Sequence, residues 1–351
     1  MSGSALRVAL VGATGAVGTE MLRQLRKRSF PAATIVPFAS ERSAGRKLEG
    51  ATEPVRALTE GAEVSGFDVA LFSAGATRSR AWAPLFRDAG AVVVDNSSAF
   101  RMDPDVPLVV SEVNPEALDG HAGIVANPNC TTMACMLPLK ALDTAFGLRE
   151  MVATSFQAAG GAGQQGIDEL QGQFGALLDE PGLLVTDGAR AAAKATPSVH
   201  ARTLALNVVP LLGTLDEEGY SDEERKLVNE SRKILALPEL RVSPTCVRVP
   251  VMVGHSIELR ASFADRVDAA SARAAMEGFP GLVLDDVPTP LEYAGRDEVA
   301  VGRIRSDIGD PRALNLFVVG DNLLKGAALN TVQIAEVLHA RGLLGARARA
   351  A

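Results

Sequence analysis

Short apolar runs alternate with amphipathic stretches over the first hundred residues of the chain. Two amphipathic stretches, residues 19–28 and 82–88, carry apolar side chains at the spacing of a helix. The apolar runs, which are typical of buried strands, cover residues 5–11, 34–39, 68–73 and 91–95. This alternation predicts an α/β fold, with a parallel, doubly wound sheet of the Rossmann type in an N-terminal domain.

The pattern changes after about residue 130. Residues 151–157 suit a strand, residues 167–200 are helical in composition, and residues 245–263 suit one long strand in a mixed or antiparallel sheet. Residues 322–340 have helical spacing and are expected to close the fold, and the terminal run 346–351 is expected to fray.

Composition narrows the class of protein. The chain has 351 residues, 47% of them hydrophobic, which is enough for two packed domains. Its net charge of −7 and the lack of a Lys/Arg block argue against nucleic acid or a membrane surface as partner. The apolar run 5–11 is too short for a membrane span or a signal peptide, so we expect a cytoplasmic protein. Three cysteines without CxxC spacing predict neither a disulfide framework nor a metal site.

A glycine loop follows the first predicted strand. Residues 11–18 are VGATGAVG, in which Gly12, Gly15 and Gly18 form a G-x-x-G-x-x-G pattern with Thr14, Ala16 and Val17 between them. Glycines allow a sharp turn, and the N–H groups of the following helix can bind a diphosphate. A tight strand–helix turn without a ligand is the alternative, but the position and the flanking elements favour a dinucleotide.

The end of the second predicted strand bears on the choice of dinucleotide. It has the sequence Ser40-Glu41-Arg42-Ser43. An acidic residue here usually binds the ribose hydroxyls of NAD, whereas Arg and Ser suit the 2′-phosphate of NADP. Arg42, Ser40 and Ser43 favour NADP, while Glu41 leaves the strictness of that preference open and Arg42 could be an ordinary loop charge.

Cys130 follows the turn Asn127-Pro128-Asn129 at the predicted start of a helix. The N–H groups and dipole of a helix start stabilise a thiolate, so we predict that Cys130 is a nucleophile. Those N–H groups, with Asn129 beside them, could stabilise an oxyanion. Cys135 and Cys246 lie in apolar or strand-like runs and are predicted to be buried packing residues.

A thiol mechanism needs a group that moves protons, and histidine suits neutral pH. Of the four histidines, His339 lies near the C-terminus, His121 and His200 lie in loops, and His255 follows an apolar run and Gly254. His255 is seven residues after Arg248, so the two would face opposite sides of a continuous strand, unless Gly254 bends the chain. Spacing alone leaves a satisfied core histidine as the commoner alternative.

Seven motifs together resemble aspartate-semialdehyde dehydrogenases along nearly the whole chain. They are GATGAVG, DNSSAFRMDPDVPLVVSEVNP, NPNCTT, SFQAAGGAG, EERKLVNESRKIL, CVRVPVMVGHS and GDNLLKGAALNTVQIAE. The resemblance implies Cys130 as nucleophile, His255 as acid and base, and Gln157 as a residue that positions the substrate. It implies that Arg248 binds the substrate carboxylate and Glu223 its amine.

The resemblance further implies a phosphate site and additional cofactor contacts. The phosphate would be bound by Arg101, Lys226 and Asn129, and the remaining cofactor contacts would come from Ser73, Gly75, Gly160, Gly161 and Asn322. Ordinary surface charges are the alternative for Arg101, Glu223 and Lys226, because Glu223 and Lys226 at i, i+3 could simply pair on a helix. Ala159-Gly160-Gly161-Ala162 departs from the serine-glycine form common in the family, which puts a hydroxyl contact to the cofactor in doubt.

The implied reaction is the NADP-dependent conversion of aspartyl phosphate, through a cysteine thioester, to aspartate semialdehyde and phosphate. It belongs to the biosynthesis of lysine, threonine, methionine and diaminopimelate. An N-acetyl-glutamyl-phosphate reductase and a catalytically silent nucleotide-binding relative are the alternatives. The expected domains are residues 1–130 plus 322–351 for NADP, and an α+β domain, residues 131–321, for substrate and dimerisation, with a homodimer or tetramer as the assembly.

Overall fold

The computed structural model describes residues 5–344, so the predicted fraying of residues 346–351 lies outside the described part. The strands are β1 Leu6–Val11, β2 Ala32–Ala39, β3 Arg56–Ala57, β4 Val69–Phe72, β5 Val92–Asp95, β6 Ile124–Ala126, β7 Leu148–Gln157, β8 Arg241–Arg248, β9 His255–Phe263, β10 Leu282–Leu284, β11 Val299–Ser306 and β12 Ala313–Gly320. The helices are α1 Ala16–Lys27, α2 Ala76–Asp88, α3 Cys130–Phe146, α4 Gln164–Leu178, α5 Leu183–Thr186, α6 Gly188–Ala193, α7 Asp222–Leu235, α8 Ala269–Met276, α9 Pro290–Tyr293 and α10 Leu329–Ala340.

The chain forms two compact units. Within the described residues, unit 1 contains residues 5–129, 233–235 and 324–344, and unit 2 contains residues 130–232 and 236–323. No helix within residues 5–344 is long and apolar enough to cross a membrane.

Unit 1 is built on a six-stranded sheet in the order β3-β2-β1-β4-β5-β6, and every pair is parallel. This strand order reverses direction between β1 and β4, and dinucleotides bind at such a switch point in doubly wound sheets. The predicted Rossmann-type sheet is confirmed. Helices α1 and α2 begin at residues 16 and 76, three and six residues before the predicted stretches, since their first residues show no apolar pattern of helical spacing.

An aromatic cluster fills one face of this sheet. Phe86 of α2 is fully buried, and its ring lies 5.6 Å from that of Phe38, 5.3 Å from Phe72 and 5.9 Å from Phe67, measured between centroids. The contacts with Phe38 and Phe72 are edge-to-face, an arrangement that adds to the energy of burial. The cluster thereby fixes α2 against β2 and β4, the two strands beside β1, which leads into the glycine loop.

Unit 2 is built on a second six-stranded sheet in the order β10-β11-β12-β9-β7-β8. The sheet is mixed, because β7 pairs parallel with β8 on one side and antiparallel with β9 on the other. The predicted second domain with strands and helices is confirmed. Residues 167–200, which their composition predicts to be helical, contribute to α4, α5 and α6. The last of these helices, α6, ends at Ala193.

The prediction of one long strand over residues 245–263 is wrong. The chain leaves the sheet after Arg248, crosses β7 and re-enters at His255 as β9. Pro250 cannot donate to a strand ladder, and Gly254 has φ +96°, in the left-handed region that favours glycine. A pattern of β-branched residues reports burial but does not show this break.

The aromatic cluster gives a direct test of unit 1. Phe86→Ala should lower the free energy of unfolding of this unit by about 3–5 kcal/mol, because it removes a fully buried ring and leaves a cavity. Leu85→Ala, on the same helix, is the matched control, since Leu85 is 49% exposed. Its effect should stay below about 1 kcal/mol. Urea unfolding followed by the fluorescence of Trp82, the one tryptophan of the chain, measures both variants. Equal midpoints for the two variants would contradict the role of the cluster.

Candidate active site

The glycine loop of unit 1 approaches a neighbouring strand end closely. Gly12 has φ +85°, and a Cβ atom at this position would lie 2.2 Å from the carbonyl oxygen of Ser73, just beyond β4. A Cβ atom at Gly18 would lie 2.2 Å from the carbonyl oxygen of Gly12. Both positions therefore require glycine, and the loop lies against the switch point of the sheet.

The first turn of α1 suits an anion. The helix begins at Ala16 after Gly15, which contributes no side-chain cap, and its first turn contains no acidic residue. Thr14, Ala16 and Val17 are half-buried along this turn. N–H groups at such a helix start attract the diphosphate of a dinucleotide. Gly75, with φ +82°, starts α2 beside the same edge of the sheet, after Ser73.

Glu41 and Arg42 follow the end of β2 and are the two charged residues that bear on the choice between NAD and NADP. Residues 41–43 form a 3₁₀ turn, closed by a 2.9 Å hydrogen bond from Ser43 N to Ser40 O. Glu41 and Arg42 are both exposed on this turn. The turn thus leaves both the carboxylate of Glu41 and the guanidinium of Arg42 accessible, with a serine on either side of the pair.

Arg101 and Asn129 are the two predicted phosphate contacts in unit 1. Arg101 is 7% exposed, and its guanidinium donates from Nε to Asn127 O and from Nη2 to Asn96 O, each at 2.9 Å. The guanidinium plane is therefore held by two backbone carbonyls. Asn129 is also 7% exposed and directly precedes Cys130 in the chain.

In unit 2, Cys130 is the first residue of α3, as the sequence predicts. Its Sγ lies 3.1 Å from Nε2 of His255. His255 is the first residue of β9 and is 1% exposed. The break in the strand at Gly254 directly precedes this histidine.

The protonation of His255 follows from its second contact. The backbone N–H of Ala158 donates to Nδ1 at 3.0 Å, so Nδ1 is an acceptor and carries no proton. In a neutral imidazole the proton is then on Nε2, which faces the sulfur. His255 therefore presents an N–H group to Cys130, an arrangement that stabilises a thiolate.

Burial keeps His255 neutral. Removal from solvent, with the positive charge of Arg248 as a further cause, lowers the pKa of His255 from its ordinary value of 6.5 to about 3. The imidazole is consequently uncharged throughout the neutral range, and Ala158 fixes its tautomer, with the proton on Nε2.

Arg248 contacts the backbone of Ala158, as His255 does. Its Nη1 donates to the carbonyl oxygen of Ala158 at 2.7 Å, so one residue anchors both the histidine and the arginine. A Cβ atom at Gly161 would lie 2.7 Å from Nη1 of Arg248 and 3.3 Å from Cε1 of His255, which shows how closely the glycine turn approaches them. Of the two arrangements that the sequence left open, a continuous strand or a bend at Gly254, the structure has the bend, and His255 and Arg248 lie beside the same glycine turn.

A cavity of about 250 Å³ adjoins Arg248. Its wall includes the buried His200, and burial lowers the pKa of this histidine. The space is enough for a small amino acid beside a cation that can bind its carboxylate.

Glu223 and Lys226 form the i, i+3 pair on α7 that the sequence offers as an alternative to substrate binding, with 2.9 Å between Nζ and Oε2. Glu223 nevertheless has a second role in the electrostatics, because its charge raises the pKa of both Arg248 and His255, partly offsetting their burial. The carboxylate therefore lies near the cation and the imidazole.

The remaining predicted residues of unit 2 surround this centre. Gln157 ends β7, is 1% exposed and donates from Nε2 to Ser155 Oγ at 3.2 Å. Asn322 accepts the N–H of Gly254 on Oδ1 at 2.9 Å, and Gly160 N donates to Met252 O at 2.9 Å. Asn322 and the glycine turn thus hold the segment that leads into His255.

Sequence reasoning missed Ala158. An alanine carries no functional group, and the contribution here comes from its backbone N–H and carbonyl. The one available signal is its position directly after Gln157 and before the glycine turn.

The other two cysteines are buried packing residues, as predicted. Cys135 is fully buried and Cys246 is 1% exposed, and burial raises the pKa of both thiols, that of Cys246 to about 12. Within residues 5–344, no group of three or more His, Cys, Asp or Glu side chains could hold a metal ion.

Two family models match the chain. Residues 7–121 match the NAD binding domain of semialdehyde dehydrogenases, and residues 139–325 match their dimerisation domain. The chain is 50% identical over 338 residues to the aspartate-semialdehyde dehydrogenase of Streptomyces akiyoshiensis, which covers 95% of this chain and 99% of that protein.

Two solved structures of aspartate semialdehyde dehydrogenases are also similar to this chain. Aspartate semialdehyde dehydrogenase II of Vibrio cholerae, complexed with ASA, is 41% identical with a TM-score of 0.89, covering 95% of this chain and 98% of that one. The Candida albicans enzyme with NADP is 25% identical with a TM-score of 0.74, covering 97% and 100%.

The contrast between the three thiols gives a test of the site. Iodoacetamide should alkylate Cys130 of the native protein at least about tenfold faster than Cys135 or Cys246, because thiolates react and buried neutral thiols do not. His255→Ala should slow the reaction at Cys130, since it removes the N–H group that faces the sulfur. Peptide mass spectrometry locates the label, and Cys246→Ser is the control that should leave the rate unchanged. Labelling of all three thiols at one rate would contradict this geometry.

Proposed function

The chain belongs to the aspartate-semialdehyde dehydrogenase family, and we propose that it catalyses the NADP-dependent reductive dephosphorylation of aspartyl 4-phosphate to aspartate 4-semialdehyde. This step would serve the biosynthesis of lysine, threonine, methionine and diaminopimelate. The observation that carries the proposal is the 3.1 Å contact between Cys130 Sγ and His255 Nε2, beside the anchored Arg248.

NADP fits the residues of unit 1. The required glycines at 12 and 18, together with the open start of α1, would hold the diphosphate, and Ser40, Arg42 and Ser43 would hold the 2′-phosphate. Further contacts are assigned to Thr14, Gly15, Ala16, Val17, Ser73, Gly75, Gly160, Gly161 and Asn322. When bound, the reduced cofactor supplies the hydride of the reaction.

The substrate carries three charged groups, and the chain offers a partner for each. Arg248 would bind the α-carboxylate through its guanidinium, beside the 250 Å³ cavity. Glu223 would bind the ammonium group. Arg101, Lys226 and Asn129 would bind the phosphate, and Gln157 would help to position the acyl group.

Cys130 reacts as the thiolate. Its sulfur attacks the acyl carbon of aspartyl phosphate, the carbon–sulfur bond forms, and the carbon–oxygen bond to phosphate breaks as inorganic phosphate leaves. The start of α3 and the Nε2–H of His255 stabilise the negative sulfur before attack. The result is an acyl thioester on Cys130.

Reduction of the thioester leaves a tetrahedral oxyanion on Cys130. The Nε2–H of His255, which faces the sulfur, would donate a hydrogen bond to this oxyanion and then to the sulfur, as the carbonyl re-forms and the carbon–sulfur bond breaks. The aldehyde is released and the Cys130 thiolate is restored. Because burial keeps the imidazole neutral, it holds this proton throughout the neutral pH range.

The alternative substrate, N-acetyl-glutamyl phosphate, has an acetylated amine without charge. The carboxylate of Glu223 near Arg248 favours a free ammonium group, and therefore the aspartyl substrate. A catalytically silent relative has no need of a histidine held at the sulfur in a defined tautomer.

We also assign domain roles. Residues 1–130 plus 322–351 would bind NADP, and residues 131–321 would bind substrate and self-associate as a homodimer or tetramer. The match of residues 139–325 to a dimerisation domain supports self-association. The cytoplasmic location stays a prediction from the sequence.

The assay for the proposed reaction is NADPH formation from aspartate semialdehyde, NADP and phosphate. Cys130→Ala should reduce the rate roughly 10³-fold or more, since no other group can form the thioester. Cys135→Ala is the matched control on the same helix and should retain most of the activity. The proposal is wrong if Cys130→Ala retains near-normal, phosphate-dependent activity, or if N-acetyl-glutamate semialdehyde is the better substrate.

The cofactor assignment has its own test. Arg42→Ala should raise the KM for NADP at least about tenfold and change the KM for NAD little, because only NADP carries the 2′-phosphate that a guanidinium can bind. Arg46→Ala removes an exposed charge nearby and should change neither value. Equal effects of Arg42→Ala on the two cofactors would rule out the 2′-phosphate contact.

A further inference from the structure

Lys325 is a buried cation in unit 1 to which the proposed reaction gives no role. Its side chain is 1% exposed and lies in a π-helical turn, residues 324–328, that precedes α10. Nζ contacts Glu112 Oε2 at 2.5 Å, Gln333 Oε1 at 2.7 Å and Asn330 Oδ1 at 3.1 Å. Burying an ion pair costs desolvation energy, and π turns are frequent at functional sites. Stability alone is therefore a poor explanation for this lysine.

Lys325 fixes the orientation of the Asn330 side-chain amide. An ammonium group only donates hydrogen bonds, so the atom of Asn330 that faces it must be the oxygen. The backbone N–H of Ser111 donates to the same oxygen at 3.1 Å. The Nδ2 group of Asn330 consequently donates on the other side, to Asn127 Oδ1 at 2.7 Å and Val109 O at 2.9 Å.

The same logic extends to Asn127. Its Oδ1 accepts from Asn330, so its Nδ2 points away and donates to Asn96 Oδ1 at 2.7 Å. Asn127 and Asn96 are the two residues whose backbone carbonyls accept from Nε and Nη2 of Arg101. A directed series of amide hydrogen bonds thus runs from the ammonium of Lys325 to the two carbonyls that hold the Arg101 guanidinium.

We propose that Asn330, oriented by Lys325, is a positioning residue that sets the plane of the Arg101 guanidinium for phosphate. The inference rests on the proposed function, in which Arg101 binds the phosphate. An arginine binds phosphate through a planar fork, so a small rotation of the plane weakens binding while leaving the charge in place. Lys325 and Asn330 act through Arg101 and touch neither phosphate nor the reacting atoms.

Asn330→Asp tests the proposal with little change in shape. The carboxylate can still accept from Lys325 and Ser111, but it can no longer donate to Asn127. The KM for phosphate in the direction of NADPH formation should rise at least about tenfold, because small displacements of a positioning group have large effects. The KM values for aspartate semialdehyde and NADP should stay within about twofold of the wild type.

Thr331→Val is the matched control. Thr331 is the next residue of α10, is fully buried, and donates to Ala327 O within the helix at 2.8 Å. Both variants should lower the melting temperature, but Thr331→Val should leave the KM for phosphate unchanged. If Asn330→Asp does not fold, Asn330→Ser removes the amide without burying a charge and gives the same comparison.

Two results would overturn the inference. One is a wild-type KM for phosphate in the folded Asn330 variant, and the other is an equal rise in Thr331→Val. A wild-type protein whose NADPH formation needs no phosphate would instead refute the proposed function itself, so the two failures can be told apart.

Discussion

The N–H group of Ala158 donates to Nδ1 of His255, and its carbonyl accepts from Nη1 of Arg248. The first hydrogen bond places the imidazole proton on Nε2, 3.1 Å from the sulfur of Cys130. The second holds the guanidinium beside the same turn. Because both contacts use the backbone of one residue, the imidazole of His255 and the guanidinium of Arg248 are anchored at the same point of the chain. The glycine at position 161 makes room for both side chains.

The electrostatics of this centre follow from burial and neighbouring charges. Burial and Arg248 together depress the pKa of His255, and Glu223 opposes that effect only in part. A neutral histidine that presents an N–H group can stabilise a thiolate and then an oxyanion without itself gaining charge. The two buried cysteines, whose thiol pKa values are raised, cannot compete with Cys130 as nucleophiles.

In unit 1, backbone carbonyl groups likewise set the local geometry. Gly12 and Gly18 leave space at the switch point of the parallel sheet, where any Cβ atom would collide with a carbonyl oxygen. Arg101 is likewise held by carbonyls, those of Asn96 and Asn127, and the latter residue is itself oriented through Asn330. In both units, main-chain groups hold the side chains of the candidate site.

The sequence by itself determined the local features. The glycine loop, the strand–helix alternation and the helix start at Cys130 follow from short-range preferences of the backbone, and the order of motifs identified the family. The resemblance carried by those motifs also implied site roles for His255, Arg248 and Gln157, although spacing alone could not favour His255 over the other histidines.

Only the tertiary structure decided what depends on contacts between distant segments. Residues 245–263 form two strands on opposite sides of β7, since sheet pairing and Gly254 override a uniform β-branched pattern. The tautomer of His255 depends on Ala158, 97 residues earlier in the chain. The orientation of Asn127 depends on Asn330, 203 residues later. Hydrogen-bond direction is set by which partner can donate and which can accept, and a linear pattern of residue types does not reveal those partners.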